Sequence, residues 1–117
     1  MAIFSKVNLS GSANGRGIEV IPVATPGVLI HTAGVGVVNW DEVWLYGVNN
    51  SANGRILTIE FGGVAVPDDN IEVTIPPESG LYAVVPGLIL QNALVVRAFA
   101  DAANVVVVFG FVNRITV

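Results

Sequence analysis

Few residues in this sequence could do chemistry. His31 is the only histidine, and the chain has no cysteine. A single histidine cannot build a multi-histidine metal site, and the lack of cysteine removes thiol catalysis, thiolate ligands and disulfides. We therefore expect His31 to be an ordinary hydrogen-bonded or exposed residue at the end of a strand.

The carboxylates do not form an obvious catalytic or metal-binding group either. Asp41 and Glu42 are adjacent, and neighbouring residues of a strand point to opposite faces, so they cannot act together as an acid–base pair. Asp68, Asp69 and Glu72 lie around a turn, but the segment lacks the spacing and the glycine of an EF-hand loop. We expect no metal, no cofactor and no enzymatic activity.

The composition indicates a protein whose surface is covered by partners. Hydrophobic residues make up 53% of the chain and charged residues only 12%, against about 25% charged residues in ordinary soluble domains. The apolar segments Leu81–Leu90 and Val105–Val112 are shorter than the roughly 20 residues of a membrane-spanning helix. With a net charge of −4 and five scattered basic residues, nucleic acid is not an expected partner, and neither is a membrane.

The elements that must position these residues are strands. Short alternating segments rich in valine and isoleucine are separated by glycine, proline and asparagine turns, and Asn14-Gly15 and Asn53-Gly54 are typical of type I′ hairpins. The pattern predicts an all-β protein, with one antiparallel β-sandwich or jelly-roll-like domain of about eight strands over residues 1–117 and residues 1–16 as a candidate N-terminal arm. The strand segments are Ile3–Leu9, Ile18–Ala24, Val28–Thr32, Glu42–Val48, Arg55–Phe61, Ile71–Ile75, Leu81–Val85, Leu94–Phe99 and Val105–Val112.

One strand differs from the others. Val105–Val112 is apolar on both faces, which predicts a central antiparallel strand with one face in the core and the other against a partner. Trp44 and Tyr46 share one face of their strand, which favours the core for both. The candidate residues for an oligomer or capsid interface are Arg97, Phe99, Val106, Val108, Val112 and Trp40.

Three runs, DEVWLYGVNNSANGRILTIEFGG, PDDNIEVTIPPESGLYAVVPGLIL and ALVVRAFADAANVVVVFGFVNRI, resemble small virion structural proteins of tailed bacteriophages, of the capsid decoration (cement) type. The resemblance implies a non-enzymatic protein made in the host cytoplasm and located on the capsid exterior. It also implies binding to the major capsid protein as a homo-oligomer, with a trimer favoured, and stabilisation of the shell.

Two alternatives stay open from the sequence. One is a tail, fibre or head-spike module that binds a host-surface carbohydrate, with Asn39, Trp40 and Asp41 as the compact candidate site. The other is a cellular or secreted β-sandwich that self-associates without any capsid.

Overall fold

The computed structural model describes residues 1–117, and its regular structure consists of strands alone. No helix is present that could cross a membrane. The nine strands are β1 (Ile3–Asn8), β2 (Ile18–Glu19), β3 (Val28–Thr32), β4 (Asn39–Asn49), β5 (Arg55–Phe61), β6 (Asn70–Ile75), β7 (Tyr82–Leu90), β8 (Val95–Ala100) and β9 (Val106–Thr116).

The strands form two antiparallel sheets with jelly-roll connectivity. Sheet I has the order β1-β9-β4-β7, with β2 also paired to β9, and sheet II has the order β3-β8-β5-β6. The pairs β2–β9, β3–β8, β4–β7 and β5–β6 are nested, as if one long hairpin had been wrapped around the core, which is the arrangement of a jelly roll. The predicted all-β sandwich is confirmed, with nine strands where about eight were expected.

The core lies between the sheets and follows the period-2 alternation of the strands. Leu57 and Ile59 of β5, Val96 and Ala98 of β8, and Ile75 of β6 are completely buried. Sheet I contributes alternate residues of its two central strands, among them Val43, Leu45, Val106, Val108 and Val112. Burial of these aliphatic side chains is the main stabilising term of the fold.

Four strands differ clearly in length from their predicted bounds: β4, β7 and β9 are longer and β2 is shorter. β7 continues through Pro86 and Gly87 to Leu90, with two irregularities in its pairing to β4. It lies at a sheet edge, where proline is tolerated because its missing N–H is not needed. β2 is only two residues long, because the chain then passes to sheet II, where Pro22 accepts a hydrogen bond from the Ala100 amide.

The two Asn-Gly turns have different outcomes. Asn14 and Gly15 have φ values of 55° and 84°, and Arg16 N donates to Ala13 O at 3.0 Å, as in the predicted type I′ turn. The strands on either side nevertheless pair with β9 and not with each other. Asn53-Gly54 joins β4 of sheet I to β5 of sheet II with no positive φ, so the hairpin predicted there is wrong.

Candidate interaction surface

The most connected polar group of the molecule is a network of Asp41, His31 and Arg114, in which Asp41 and His31 are buried and Arg114 is half-buried. Asp41 of β4 accepts hydrogen bonds from Arg114 Nε at 2.7 Å and Arg114 Nη2 at 2.9 Å. Its Oδ2 also contacts His31 Nε2 at 2.8 Å and accepts from the Gly34 amide. Because His31 Nδ1 accepts from Ser10 N at 3.0 Å, Nε2 carries the proton and donates to Asp41.

This network is structural in character. Asp41 and His31 are 0% and 1% exposed, and the contact joins β3 of sheet II to β4 of sheet I. Burial by itself raises the pKa of Asp41, but the hydrogen bonds from Arg114 and His31, with the Arg114 charge, outweigh burial and lower that pKa. Hydrogen bonds to Asp41 likewise raise the pKa of Arg114. The predicted role of His31 as a hydrogen-bonded strand-end residue is confirmed.

The valines assigned to an interface face the core. Val106, Val108 and Val112 of β9 are all 0% exposed between the two sheets. In this fold they are not accessible to a partner, so their assignment to an oligomer or capsid interface is wrong. The strand is central and antiparallel, as predicted, but its partner-facing side consists of the alternate residues.

Those alternate residues are part of an extended apolar surface on sheet I. We call it the outer face of sheet I and define it by the half-buried or exposed side chains of β4 and β9 that point away from the core. Strands β1 and β7 flank it, and no other strand packs over it. Its polar members are Glu42 and Asn113, and its apolar and aromatic members are Trp40, Trp44, Tyr46, Val48, Val107, Phe109, Phe111 and Ile115.

Aromatic side chains form the centre of this surface. Trp44 and Phe111 stack with their ring centroids 6.1 Å apart and their planes 8° from parallel. Lys6 Nζ lies 5.0 Å from the Phe111 centroid, a distance at which a cation is attracted by the ring. Trp44 and Tyr46 thus share a face, but it is the outer one, and the prediction that they belong to the core is wrong.

The charged residues of this surface are few and are held by neighbours. Glu42 accepts hydrogen bonds from Trp44 Nε1 at 2.7 Å and Asn113 Nδ2 at 3.0 Å. These two bonds lower the pKa of Glu42, so it is ionised at neutral pH. The anion stays fixed beside the aromatic centre.

Two open grooves lie at opposite ends of the outer face of sheet I. One, of about 350 Å³, runs between β1 and β4 and is lined by Phe4, Ser5, Lys6, Glu42, Asn113, Arg114 and Ile115. The other, of about 420 Å³, is lined by Ala13, Arg16, Gly17, Val107 and Phe109. Together with the aromatic centre they make one long, shallow surface that suits a macromolecule better than an enclosed small ligand.

Arg97 and Phe99 lie on the opposite side of the molecule. They are half-buried on the outer face of sheet II, whereas Trp40, which is 40% exposed, lies on sheet I. Arg97 Nη1 donates to Gly27 O at 3.3 Å and pairs with no carboxylate. Glu60, its neighbour in register, is buried beneath Thr25 and Gly27, which donate to it. The assignment of Arg97 and Phe99 to an interface stays a prediction.

The compact carbohydrate site proposed from the sequence does not form. Trp40 points outwards, while Asp41 is buried and bonded to Arg114. Asn39 donates from its amide to Val35 O and accepts from Thr116 Oγ1. The three residues therefore do not present a common polar surface to a sugar.

In the turn that contains Asp68 and Asp69, one carboxylate makes a hydrogen bond within the turn itself. Asp69 Oδ2 accepts a hydrogen bond from the Ala65 amide at 3.0 Å. No group of three or more histidine or carboxylate side chains is arranged to hold a metal ion.

Sequence reasoning missed Val107, Phe109 and Phe111 because β9 is apolar on both sides. The available signal was Asn113, which shares their face and is the first polar residue after the apolar run. Because side chains alternate along a strand, a polar residue at position 113 predicts that residues 107, 109 and 111 also point outwards.

Comparisons with protein-family models, with curated proteins and with solved structures found no match to this chain.

Proposed function

We propose that this chain is a non-enzymatic virion structural protein that binds the outer surface of a phage capsid as a homo-oligomer and stabilises the shell. The observation that carries the proposal is the outer face of sheet I, where eight apolar or aromatic side chains lie half-buried or exposed on the central strands of the sandwich, with no strand packed over them. Monomeric proteins rarely leave so continuous an apolar surface unpartnered. The resemblance to decoration proteins adds the kind of partner, the major capsid protein.

The chemistry of this surface suits a protein partner. Stacked Trp44 and Phe111, with Tyr46 and Phe109 beside them, are residue types that contribute most to binding energy when a partner excludes water from them. Glu42 and Lys6 provide polar contacts near the centre, which would fix orientation more than affinity. The capsid is therefore proposed to contact this side of the molecule.

The two outer faces allow two simultaneous contacts. Sheet I and sheet II present their outer faces on opposite sides of one sandwich, so a copy attached to the shell through sheet I leaves sheet II free. Repeated attachment of an oligomer makes modest single contacts strong in combination. Jelly rolls occur in capsid and lectin domains alike, so the fold is compatible with the proposal but does not select it.

The first test is the copy number of this chain in purified virions of the phage whose genome encodes it. Quantitative mass spectrometry against the major capsid protein should give an abundance comparable with that of the coat subunits. A few copies per particle would indicate a vertex, tail or spike component. Absence from the virion would overturn the proposal and favour a self-associating β-domain.

The second test locates the contact. Trp44→Ala removes the centre of the outer face of sheet I, and Phe99→Ala is its matched control on sheet II. We expect Trp44→Ala to weaken co-sedimentation with expanded capsids by tenfold or more, the effect of losing about 1.4 kcal/mol or more at an aromatic contact, and Phe99→Ala to bind normally. The reverse result would move the capsid contact to the outer face of sheet II.

A further inference from the structure

The edges of the two sheets differ in how well they are protected. A sheet edge exposes unpaired N–H and C=O groups to which another chain can add a strand, and proteins normally block it with proline, bulges, charge or covering segments. One edge of sheet I is formed by β1 together with the two-residue β2, and the other by β7; the edges of sheet II are β3 and β6.

Three of these edges are protected. β7 contains Pro86 and has two irregularities in its pairing. β3 has a bulge, and its free side is covered where Gly11 N donates to Ile30 O. β6 is regular, but its apolar residues pack against the core and its exposed residues are Glu72 and Thr74.

The β1 edge has no proline, bulge or covering segment. Its six residues pair with β9 in unbroken register and contain no proline. Ile3 and Phe4 are 63% and 74% exposed, so apolar side chains are uncovered on both faces of the strand. The one charge, Lys6, lies over the Phe111 ring of its own sheet.

We propose that β1 pairs with β1 of a second copy. The two strands run antiparallel, and the two-fold axis that relates them passes midway between Ser5 of one copy and Ser5 of the other. In this register Ile3 of each copy lies opposite Val7 of the other, and Phe4 lies opposite Lys6. On one face of the paired strands, aliphatic Ile3 then contacts aliphatic Val7. On the other face, the Phe4 ring lies opposite the Lys6 ammonium group. An edge strand paired in this way is self-complementary, as a two-fold interface requires.

The neighbouring registers are less favourable. An axis through Lys6 would place the two lysines directly opposite each other, which is destabilising. An axis between Ser5 and Lys6 would align the inner face of one sheet with the outer face of the other, because successive side chains alternate between faces. The register through Ser5 therefore combines matched faces with the absence of like charges.

The pairing has a structural consequence for the whole assembly. Sheet I of both copies becomes one continuous sheet, in the order β7-β4-β9-β1-β1-β9-β4-β7, and the two outer faces become one surface. This extends the proposed capsid-binding face without relying on it, since the strand pairing needs no capsid. It also differs from the trimer that the resemblance implies.

The first experiment is the solution mass of the wild-type chain without capsids, by sedimentation velocity over a wide concentration range. We expect a dimer, with twice the monomer mass of 12.2 kDa. A mass that remains monomeric at all concentrations, or a trimer as the only oligomer, would overturn the strand pairing.

The second experiment uses the natural absence of cysteine. Residues directly opposite in antiparallel strands have Cα atoms about 4.5–5.5 Å apart, within the range of a disulfide. Ser5→Cys should therefore form a disulfide-linked dimer in most chains under mild oxidation. Thr74→Cys, an exposed position on the β6 edge, is the matched control and should remain largely unlinked.

The outcomes separate this inference from the capsid proposal. A dimer with disulfide formation at position 5 alone supports the strand pairing whether or not the protein binds capsids. Equal linkage at positions 5 and 74, or a dimer that Ser5→Cys does not link, would contradict it. If Ser5→Cys does not fold, the wild-type mass and the loss of dimer in Phe4→Lys, which places lysine opposite lysine, still test it.

Discussion

Val107 and Val108 are chemically identical neighbours with opposite surroundings. Val108 is fully buried between the sheets, whereas Val107 lies half-buried on the outer face of sheet I beside Phe109. A charge at these positions should therefore act on two different properties of the protein, folding at one and association at the other.

The paired variants Val108→Asp and Val107→Asp test this at the residue scale. An unpaired carboxylate at position 108 should lower the free energy of unfolding by about 4 kcal/mol or more, since a buried charge is among the most damaging changes. At position 107 the loss should stay below about 1 kcal/mol, with weaker capsid binding. Urea denaturation followed by tryptophan fluorescence measures the free energy of unfolding of both variants. Equal losses of stability would contradict the assignment of Val108 to the core and Val107 to the outer face.

Asp41 makes a second residue-scale prediction, which concerns pH. Its pKa in the folded protein lies below the ordinary value of 3.8, so the ionised form contributes stability that is fully present above that value. This contribution is lost as the pH falls through the lower, folded-state pKa. The wild type should therefore become less stable below about pH 4 partly because Asp41 becomes protonated.

Asp41→Asn should lower the free energy of unfolding by about 3 kcal/mol at pH 7, because Arg114 and His31 lose an ionised acceptor. The difference from the wild type should shrink as the pH falls from 3.8 towards 3, because the unfolded chain then binds a proton at this carboxyl more readily than the folded chain does. Urea denaturation at both pH values, with Glu78→Gln as the exposed-carboxylate control, measures it. A difference that is independent of pH would show that the charge of Asp41 is unimportant.

At the scale of elements, backbone conformation distinguishes two turns with the same Ser-Ala-Asn-Gly-Arg sequence. Gly15 has φ +84°, whereas a Cβ added at Gly54 would meet only an ordinary contact, 3.6 Å from Thr74 Cγ2, with no positive φ. The same five residues thus take two conformations, because the strands that follow go to different sheets. Local sequence does not decide between them.

Alanine substitution of each glycine tests this difference. Gly15→Ala should lower the free energy of unfolding by about 1 kcal/mol, because a Cβ disfavours positive φ. Gly54→Ala should leave it unchanged or raise it by roughly 0.5 kcal/mol, by restricting the unfolded chain. Thermal and urea denaturation of both variants checks the sign. A loss at Gly54 equal to that at Gly15 would restore the type I′ turn predicted there.

At the scale of the whole molecule, the distribution of apolar surface matters more than any single side chain. A chain with 53% hydrophobic residues fills the core of its sandwich and has apolar residues left over. Some of these are exposed along β1, at Ile3 and Phe4, and others are half-buried or exposed on the outer face of sheet I. Further apolar residues are exposed elsewhere, for example at Val35, Val66 and Ile89. The two proposals assign the first two groups to different partners, the capsid for the outer face and a second copy for the β1 edge.

If both proposals hold, the strength of capsid binding depends on how the two copies of a dimer are placed relative to the capsid sites. A dimer formed through β1 joins two outer faces on one side of a continuous sheet, so both copies can contact the shell together. The gain from joint attachment depends on whether the capsid offers two sites at that spacing. The solution mass and the virion copy number together decide between this arrangement and a trimer.

The sequence alone determined the fold class and the approximate position of every strand. Period-2 alternation in segments such as Ile71–Ile75 and the turn residues between segments are local signals, because each strand must turn one side to a core and end where the chain reverses. The low charge also indicated a partner-covered surface. Whether that partner is a capsid is not a property that such local signals encode.

The tertiary structure decided which side of β9 is covered and which polar groups meet. Val105–Val112 is apolar on both sides, so a shift of one residue exchanges its faces without changing the local pattern. Asp41 and Arg114 are 73 residues apart in sequence, and His31 reaches Asp41 only because two sheets pack together. The unprotected β1 edge likewise depends on which strands lie beside it. These features arise from pairings between distant segments, and no local pattern in the chain specifies them.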